Sequence, residues 1–161
     1  TKAIDPTRPV IDTSGFFHVV TDIYDVHDYE QDPVKFKENY SRIAEGIVND
    51  CTEQNEPWRG RQKYRGEPFF VSEFGGTYWN PEQENGWGYG NAPKSLEEFY
   101  SRYDGLVTSL LENPYVLGFC YTQLYDIEQE QNGLMTYDRK HKFDVQKIRE
   151  INQKKAAIEE E

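Results

Sequence analysis

The sequence contains little cysteine, one methionine and no long apolar run. Its two cysteines, Cys51 and Cys120, lie far apart and have neither CxxC spacing nor a companion histidine. A zinc site and a disulfide framework are therefore disfavoured. Because Cys120 belongs to an apolar run, we expect it to be a small buried residue. No segment approaches the roughly 18 apolar residues that a membrane-spanning helix requires.

Positive charge is also scarce. The chain has 18 Lys and Arg against 29 Asp and Glu, and its formal net charge is −11 at pH 7. Nucleic-acid backbones and anionic lipid surfaces both attract clustered cations, so neither is expected as a partner. Aromatic residues make up 15% of the chain, and aliphatic residues are modest in number. We therefore expect a core packed largely by aromatic rings, and a neutral polar ligand rather than a charged polymer.

Strand and helix patterns alternate along the chain. Four short apolar runs predict buried strands, at residues 8–12, 22–28, 68–73 and 115–121. Capping signals predict helices that begin at Asp32-Pro33, at Ser95 and at Asp144, the first continuing to Ile47. This alternation implies parallel strands. Residues 13–21 are too few for a helical crossover, so either the first two strands are joined irregularly or one of them is not a strand.

Glu73 is the first candidate for chemistry. It ends an apolar run and is followed closely by Gly75-Gly76, and the carboxyl ends of parallel strands are where α/β folds build their sites. A glutamate that only caps or pairs at a strand end is the alternative. The loop that follows carries four aromatic rings, which predict a platform for the C–H faces of a sugar or, alternatively, packing beneath their own loop. These rings belong to Tyr78, Trp79, Trp87 and Tyr89.

A second polar cluster ends the predicted strand at residues 22–28. Alternation along this strand places Asp25 and His27 on one face and Asp28 on the other. No third ligand completes a metal site, and no G-x-S-x-G elbow supports a serine triad. We interpret His27 as a residue that recognises ligand hydroxyls, and a hydrogen-bonded structural histidine is the alternative.

Several segments, in order, resemble glycoside hydrolase family 2, the β-galactosidase and β-glucuronidase group. The motif Val71-Ser72-Glu73-Phe74-Gly75-Gly76 is similar to the family's nucleophile motif at the end of strand seven. Residues 118–124, 128–134 and 136–139 resemble its strand eight and the following loop. Residues 5–10 resemble the lead-in to strand five, and residues 22–29 resemble strand six.

This resemblance implies a (β/α)8 TIM barrel, of which residues 1–161 form the C-terminal half of the catalytic domain, roughly strands five to eight. It implies a retaining hydrolase of β-glycosides, β-galactosidase-like, in which Glu73 attacks the anomeric carbon. No cofactor and no metal are implied. The residues expected to bind the carbohydrate substrate are His27, Asp28, Tyr29, Trp79 and Gln123.

A retaining mechanism needs a second carboxyl group, which in this family is a Glu directly after an Asn. The one Asn-Glu pair, Asn55-Glu56, lies in a polar loop and not after a strand, so we interpret it as unrelated. The acid/base residue is then expected upstream of Thr1, in a missing N-terminal half of the barrel. This missing half and the domains upstream of it are the expected partners of the chain. We expect the isolated chain to be inactive and to self-associate through exposed barrel edges.

Several questions stay open from the sequence. A noncatalytic carbohydrate-binding module, in which Glu73 only accepts sugar hydroxyls, is the main alternative function. A doubly wound nucleotide-binding domain is disfavoured because no Gly-rich turn joins a first strand to a helix. Arg59, Arg61 and Arg65 could attract an acidic sugar or could be solvated. The sugar cleaved and the compartment, cytoplasmic or periplasmic and secreted, are both undetermined.

Overall fold

Three parallel strands form one sheet in the computed structural model, which describes residues 1–50, 60–82 and 85–159. The strands lie in the order β1 (Tyr24–Asp28), β2 (Phe69–Gly75) and β3 (Val116–Thr122). Both neighbouring pairs are parallel. The last three of the four predicted strands and the parallel arrangement are therefore confirmed.

The helices begin where the capping signals predict. They are α1 (Pro33–Asn39), α2 (Leu96–Leu111) and α3 (Val145–Asn152), with short 3-10 helices at Ile43–Glu45 and Ala157–Glu159. The side chains of Asp32, Ser95 and Asp144 each accept a backbone N–H of the first turn that follows, which satisfies donors that a helix start leaves unpaired.

The predicted continuation of the first helix to Ile47 is wrong. α1 ends at Asn39, and the 3-10 turn that follows closes at Gly46 with a φ of 76°. Ile47 is 42% exposed. The chain leaves the helix at Tyr40, whose ring is buried and whose hydroxyl donates to Asp28 over 2.9 Å.

Aromatic rings dominate the core, as the composition predicts. Helices and sheet share one cluster of buried side chains, and six of its largest fully buried members are rings: Tyr24, Phe36, Tyr40, Phe69, Phe74 and Phe99. The helix α2 buries Phe99, Tyr103, Leu106 and Leu110, whereas Leu96 in its first turn is 38% exposed. Burying one such ring stabilises the fold by roughly 1.5–3 kcal/mol relative to leaving it exposed to water.

The half-barrel prediction is wrong, because the chain forms a small domain with a three-stranded sheet and three helices. The first predicted strand, residues 8–12, forms no ladder. Val10 instead exchanges bonds with Asp22, whose N–H donates to the Val10 carbonyl and whose Oδ2 accepts the Val10 N–H, both over 2.8 Å. Three strands leave open edges at β1 and β3 within the described ranges, whereas a barrel of this type closes with about eight strands.

Three further expectations concern surfaces. Cys120 is exposed rather than buried, because it points away from the face on which Phe119 and Tyr121 pack against the core; Cys51 lies outside the described residues. Across residues 1–50, 60–82 and 85–159, no helix is long and apolar enough to cross a membrane. Self-association through the open edges stays a prediction.

Candidate functional site

A β-bulge in β2 turns Glu73 out of the core. Val26 pairs with Val71, but the next residue of β1, His27, pairs with Glu73, so β2 carries one extra residue at this point. The pairing with β3 shifts in the same place, since the step from Val71 to Phe74 in β2 is matched by the shorter step from Phe119 to Tyr121 in β3. Strict alternation from buried Val71 would bury Glu73 and expose Phe74, because side chains of a strand alternate between faces. The bulge reverses this outcome: Phe74 is fully buried, and the Glu73 side chain is 40% exposed.

Tyr29 and His27 hold the Glu73 carboxylate. The Tyr29 hydroxyl donates to Glu73 Oε2 and also lies 3.5 Å from Thr122 Oγ1 at the end of β3. Burial, together with the adjacent Glu73 carboxylate, raises the pKa of Tyr29 well above its usual range, so that Tyr29 is a neutral donor at pH 7. The His27 Nδ1 atom lies 3.3 Å from the same Oε2.

The segment before β1 contributes Ser14, which the sequence does not predict as a site residue. Ser14 Oγ lies 3.1 Å from His27 Nε2, so the imidazole bridges Ser14 and Glu73. Gly15 permits this contact, because it has a φ of 58° and a Cβ there would lie 2.1 Å from the His27 ring. The one sequence signal for this arrangement is the short irregular link at residues 13–21.

Three of the four loop rings divide between two places. Tyr89 stacks on Tyr29 with ring centroids 3.4 Å apart and planes inclined by 8°, and Trp87, 47% exposed, meets Tyr89 edge-on at 5.8 Å. Tyr89 therefore packs on the ring whose hydroxyl donates to Glu73, and Trp87 packs on Tyr89. Trp79 instead packs partly against the core and lines a cavity of about 630 Å³ that contacts neither Glu73 nor Tyr29.

The structure separates Asp28 and Gln123 from the contacts of Glu73. Asp28 lies on the helix-facing side of the sheet, 4% exposed, and accepts from Tyr40 and from Asn39 Nδ2 over 2.9 and 2.8 Å. Gln123 directly follows Thr122 and donates to Asn132 Oδ1 over 3.0 Å. Their expected roles in substrate binding stay predictions. Within the described ranges, no group of three or more His, Cys, Asp and Glu residues is placed to hold a metal ion.

A buried charge cluster lies behind the bulge. His18 Nδ1 lies 2.8 Å from Asp12 Oδ1, and His18 Nε2 lies 2.9 Å from the Asp25 carbonyl oxygen. The same Nε2 atom lies 3.2 Å from Asp25 Oδ1, which is an ion-pair contact without hydrogen-bond geometry. The Ser72 hydroxyl, in the bulge itself, donates to Asp25 Oδ2. The cluster therefore ties the segment before β1 to the residue that precedes Glu73.

This cluster predicts a stability optimum in mildly acidic solution. Burial opposes the charge of His18, but the bonds to Asp25 and Asp12 outweigh it and raise the pKa of His18 from 6.5 to about 9. Burial likewise opposes the charge of Asp12, but the bond to His18 and two backbone N–H donors lower the pKa of Asp12 from 3.8 to about 2. The His18 contribution is complete below its unfolded pKa and is lost as pH rises through about 9; the Asp12 contribution is lost as pH falls through about 2.

We expect the free energy of unfolding to fall by about 2 kcal/mol between neutral pH and pH 10, and the melting temperature to fall with it. His18→Gln should melt lower than wild type near pH 6 and lose this alkaline decline, since Gln does not titrate. Calorimetric melts of both proteins across the pH range measure the difference. The same alkaline decline in both proteins would show that His18 is not its cause.

No family model matches this sequence, and no curated protein matches it. Solved structures do match. One is the β-glucuronidase of Bacteroides uniformis, with 20% identity and a TM-score of 0.47 over 76% of this chain and 14% of that chain. Another is the β-glucuronidase of Bifidobacterium dentium complexed with coumarin-3-O-glucuronide, with 17% identity and a TM-score of 0.48 over 81% of this chain and 20% of that chain. Both are β-glucuronidases.

The chain spans about a seventh and a fifth of the length of these two proteins. At this identity and these TM-scores, the similarity assigns neither a family nor a substrate to the chain. The expectation of β-galactosidase-like specificity gains no support from these comparisons.

Proposed function

We propose that this chain supplies the nucleophile of a retaining glycoside hydrolase and that Glu73 is that nucleophile. The observation that carries the proposal is the bulge, which presents Glu73 to solvent on the strand end beside Tyr29, with its carboxylate held by a hydroxyl donor and an imidazole. The sequence resemblance of residues 71–76 to the nucleophile motif of family 2 supports the same assignment.

The chemistry needs a carboxylate oxygen fixed in position and a ring surface beside it. Glu73 attacks the anomeric carbon, the bond from that carbon to the glycosidic oxygen breaks, and the leaving oxygen takes a proton from a second carboxyl group. Water, deprotonated by that second group, then cleaves the glycosyl ester. Tyr29 keeps Oε2 oriented and stabilises the carboxylate both before attack and as it is released.

The second carboxyl group is part of the proposal. Retaining enzymes place it about 5–5.5 Å from the nucleophile. Among the described residues, Tyr29 is hydrogen-bonded to the Glu73 carboxylate and His27 Nδ1 lies 3.3 Å from it, and neither side chain is a carboxylic acid. We assign the acid/base role to sequence outside this chain, as the resemblance implies; Asn55-Glu56 lies outside the described residues.

Covalent labelling tests the nucleophile without requiring the acid. A 2-deoxy-2-fluoroglycosyl fluoride reacts when the Glu73 oxygen bonds to the anomeric carbon and the carbon–fluorine bond breaks, with fluoride leaving unprotonated. The experiment uses the product of the complete gene with reagents of the gluco, galacto and manno series. We expect one fluorosugar per protein, found by mass spectrometry on the peptide that carries Glu73, and no labelling of Glu73→Gln.

Two other outcomes would count against the proposal. Labelling of a different carboxylate would remove Glu73 as the nucleophile. Measurable sugar binding without labelling in any series would favour a noncatalytic carbohydrate-binding module, for which the exposed ring of Trp87 and the stacked pair Tyr29–Tyr89 provide a surface.

A further inference from the structure

The imidazole of His27 lies between a hydroxyl and a carboxylate. Ser14 Oγ is hydrogen-bonded to His27 Nε2 over 3.1 Å, and Glu73 Oε2 lies 3.3 Å from His27 Nδ1 in an ion-pair contact. In serine hydrolases of the Ser-His-Asp/Glu type, the nucleophilic hydroxyl bonds to Nε2 and the carboxylate to Nδ1. The three side chains of this chain stand in that order and on those two ring atoms.

This order places the protons where acyl transfer needs them. The Glu73 carboxylate favours a proton on Nδ1 of His27, which leaves the lone pair of Nε2 to accept the Ser14 hydroxyl. Tyr29 donates to the same Oε2 atom of Glu73, and one carboxylate oxygen has room for both donors. The contact of 3.3 Å is slightly longer than a formed catalytic hydrogen bond, and such bonds commonly shorten once substrate is bound.

A buried carboxylate holds the turn that carries Ser14. The Gly15 N–H donates to Asp25 Oδ2 over 2.9 Å, and Asp25 is 1% exposed. Gly15 has a φ of 58°, and a Cβ there would lie 2.1 Å from the His27 ring, so the backbone of the turn lies directly against the imidazole. Ser14 itself is exposed. The turn therefore holds a hydroxyl on the general base and leaves it open to solvent, as a nucleophile requires.

We propose that Ser14, His27 and Glu73 form a catalytic triad for acyl transfer, with Ser14 as the nucleophile and activated esters as the substrates. This activity goes beyond the proposed glycosidase function, in which Glu73 itself attacks, and either activity can fail without the other.

The backbone of the turn decides the substrate class. Among the described residues, no acceptor bonds to the Ser14 N–H, whereas the Gly15 N–H is already bonded to Asp25. The turn therefore offers the developing oxyanion one donor, where the serine proteases use two. The lack of one such donor costs roughly 10²–10³ in rate, which favours esters with a good leaving group over amides.

The reaction has two balanced steps. Ser14 Oγ bonds to the ester carbonyl carbon as its proton passes to His27 Nε2, and the carbon–oxygen bond to the leaving group breaks as that oxygen takes the proton. Water then attacks the acyl-serine and gives a proton to Nε2, and Ser14 regains this proton as the carboxylic acid leaves. Glu73 stays ionised and stabilises the imidazolium formed in each step.

An alkyl fluorophosphonate tests the nucleophile directly. Ser14 Oγ bonds to phosphorus, the phosphorus–fluorine bond breaks, fluoride leaves, and His27 takes the proton. With the complete gene product, we expect an adduct on the peptide that carries Ser14, found by mass spectrometry, and none on that peptide in Ser14→Ala. His27→Gln should slow the labelling of Ser14 by roughly 100-fold or more, the contribution of a general base.

Two further variants separate the triad from a merely reactive hydroxyl. Glu73→Gln should slow the labelling of Ser14 by roughly 10-fold or more, because an amide does not stabilise the imidazolium. Ser41→Ala is the matched control, since Ser41 is exposed and its hydroxyl donates to the Glu38 carbonyl over 2.8 Å; the labelling of Ser14 should be unchanged in this variant.

Each part of the proposal can be overturned separately. No adduct on Ser14, or equal labelling rates in wild type and His27→Gln, would overturn the triad, and an unchanged rate in Glu73→Gln would overturn the role of Glu73. Hydrolysis of 4-nitrophenyl acetate should be lower in Ser14→Ala than in wild type. Equal hydrolysis by the two proteins would overturn the assignment of activated esters as substrates. None of these results depends on whether the protein cleaves glycosides.

Discussion

Replacing Glu73 with Gln is expected to reduce the kcat of the complete gene product by roughly 10⁴-fold or more, because an amide cannot form the glycosyl ester. The fold should persist. Gln has the shape of Glu, its carbonyl oxygen still accepts from Tyr29, and the side chain is 40% exposed. We therefore expect a melting temperature within a few degrees of wild type.

Two further variants provide comparisons for Glu73→Gln. Tyr29→Phe removes one hydrogen bond to a charged group, worth about 1.5–3 kcal/mol, so it should slow turnover by roughly 10- to 100-fold. Glu112→Gln makes the same chemical change as Glu73→Gln in an exposed ion pair with Lys37 and should leave turnover unchanged. Steady-state kinetics on a chromogenic β-glycoside measures the kcat of all three variants. Near-normal hydrolysis by Glu73→Gln would remove Glu73 as the nucleophile.

Gly75→Ala is expected to lower the free energy of unfolding by about 2–5 kcal/mol, the sum of left-handed backbone strain and overpacking. Gly75 has a φ of 75°, and a Cβ there would lie 2.3 Å from the Tyr121 ring. That ring cannot move freely, because it packs against Phe74 and its hydroxyl accepts the N–H of Thr77, in the turn that follows Glu73.

Gly46→Ala is the matched control. Gly46 has a φ of 76°, but no atom lies within 4 Å of a Cβ placed there, so this variant should lose only about 1–2 kcal/mol, the cost of the strain. Urea denaturation of both variants measures the difference. Equal losses would show that the contact with Tyr121 contributes nothing.

The local signals in the sequence were reliable for the elements that form independently of distant parts of the chain. Asp32, Ser95 and Asp144 begin helices where they were expected to, because a cap depends on the next three or four residues. The apolar runs at β1, β2 and β3 are strands. The run at residues 8–12 also has β-branched residues at its centre, Val10 and Ile11, but it is not a strand. A strand exists only where a neighbour completes its ladder, and Val10 bonds to Asp22 instead.

The sequence predicts the side chains around Glu73 only in part. His27 and Tyr29 follow from their place at a strand end, and both contact Glu73. The sequence does not predict the contacts of Ser14 and Thr122, nor those that join Asp12 and His18 to Asp25, because the tertiary fold alone brings these side chains together. Asp28 resembles its neighbours in sequence, yet its carboxylate lies under the sheet with Tyr40.

The sequence by itself determined that a carboxylate ends an apolar strand, next to glycines and aromatic rings. Whether that carboxylate reaches solvent was decided only by the tertiary structure. Simple alternation from Val71 would bury Glu73 and expose Phe74, and the extra residue in β2 reverses the two. A bulge is a mismatch between one strand and its partners, so it arises from the pairing of β2 with both β1 and β3, and it cannot be read from residues 69–75 alone.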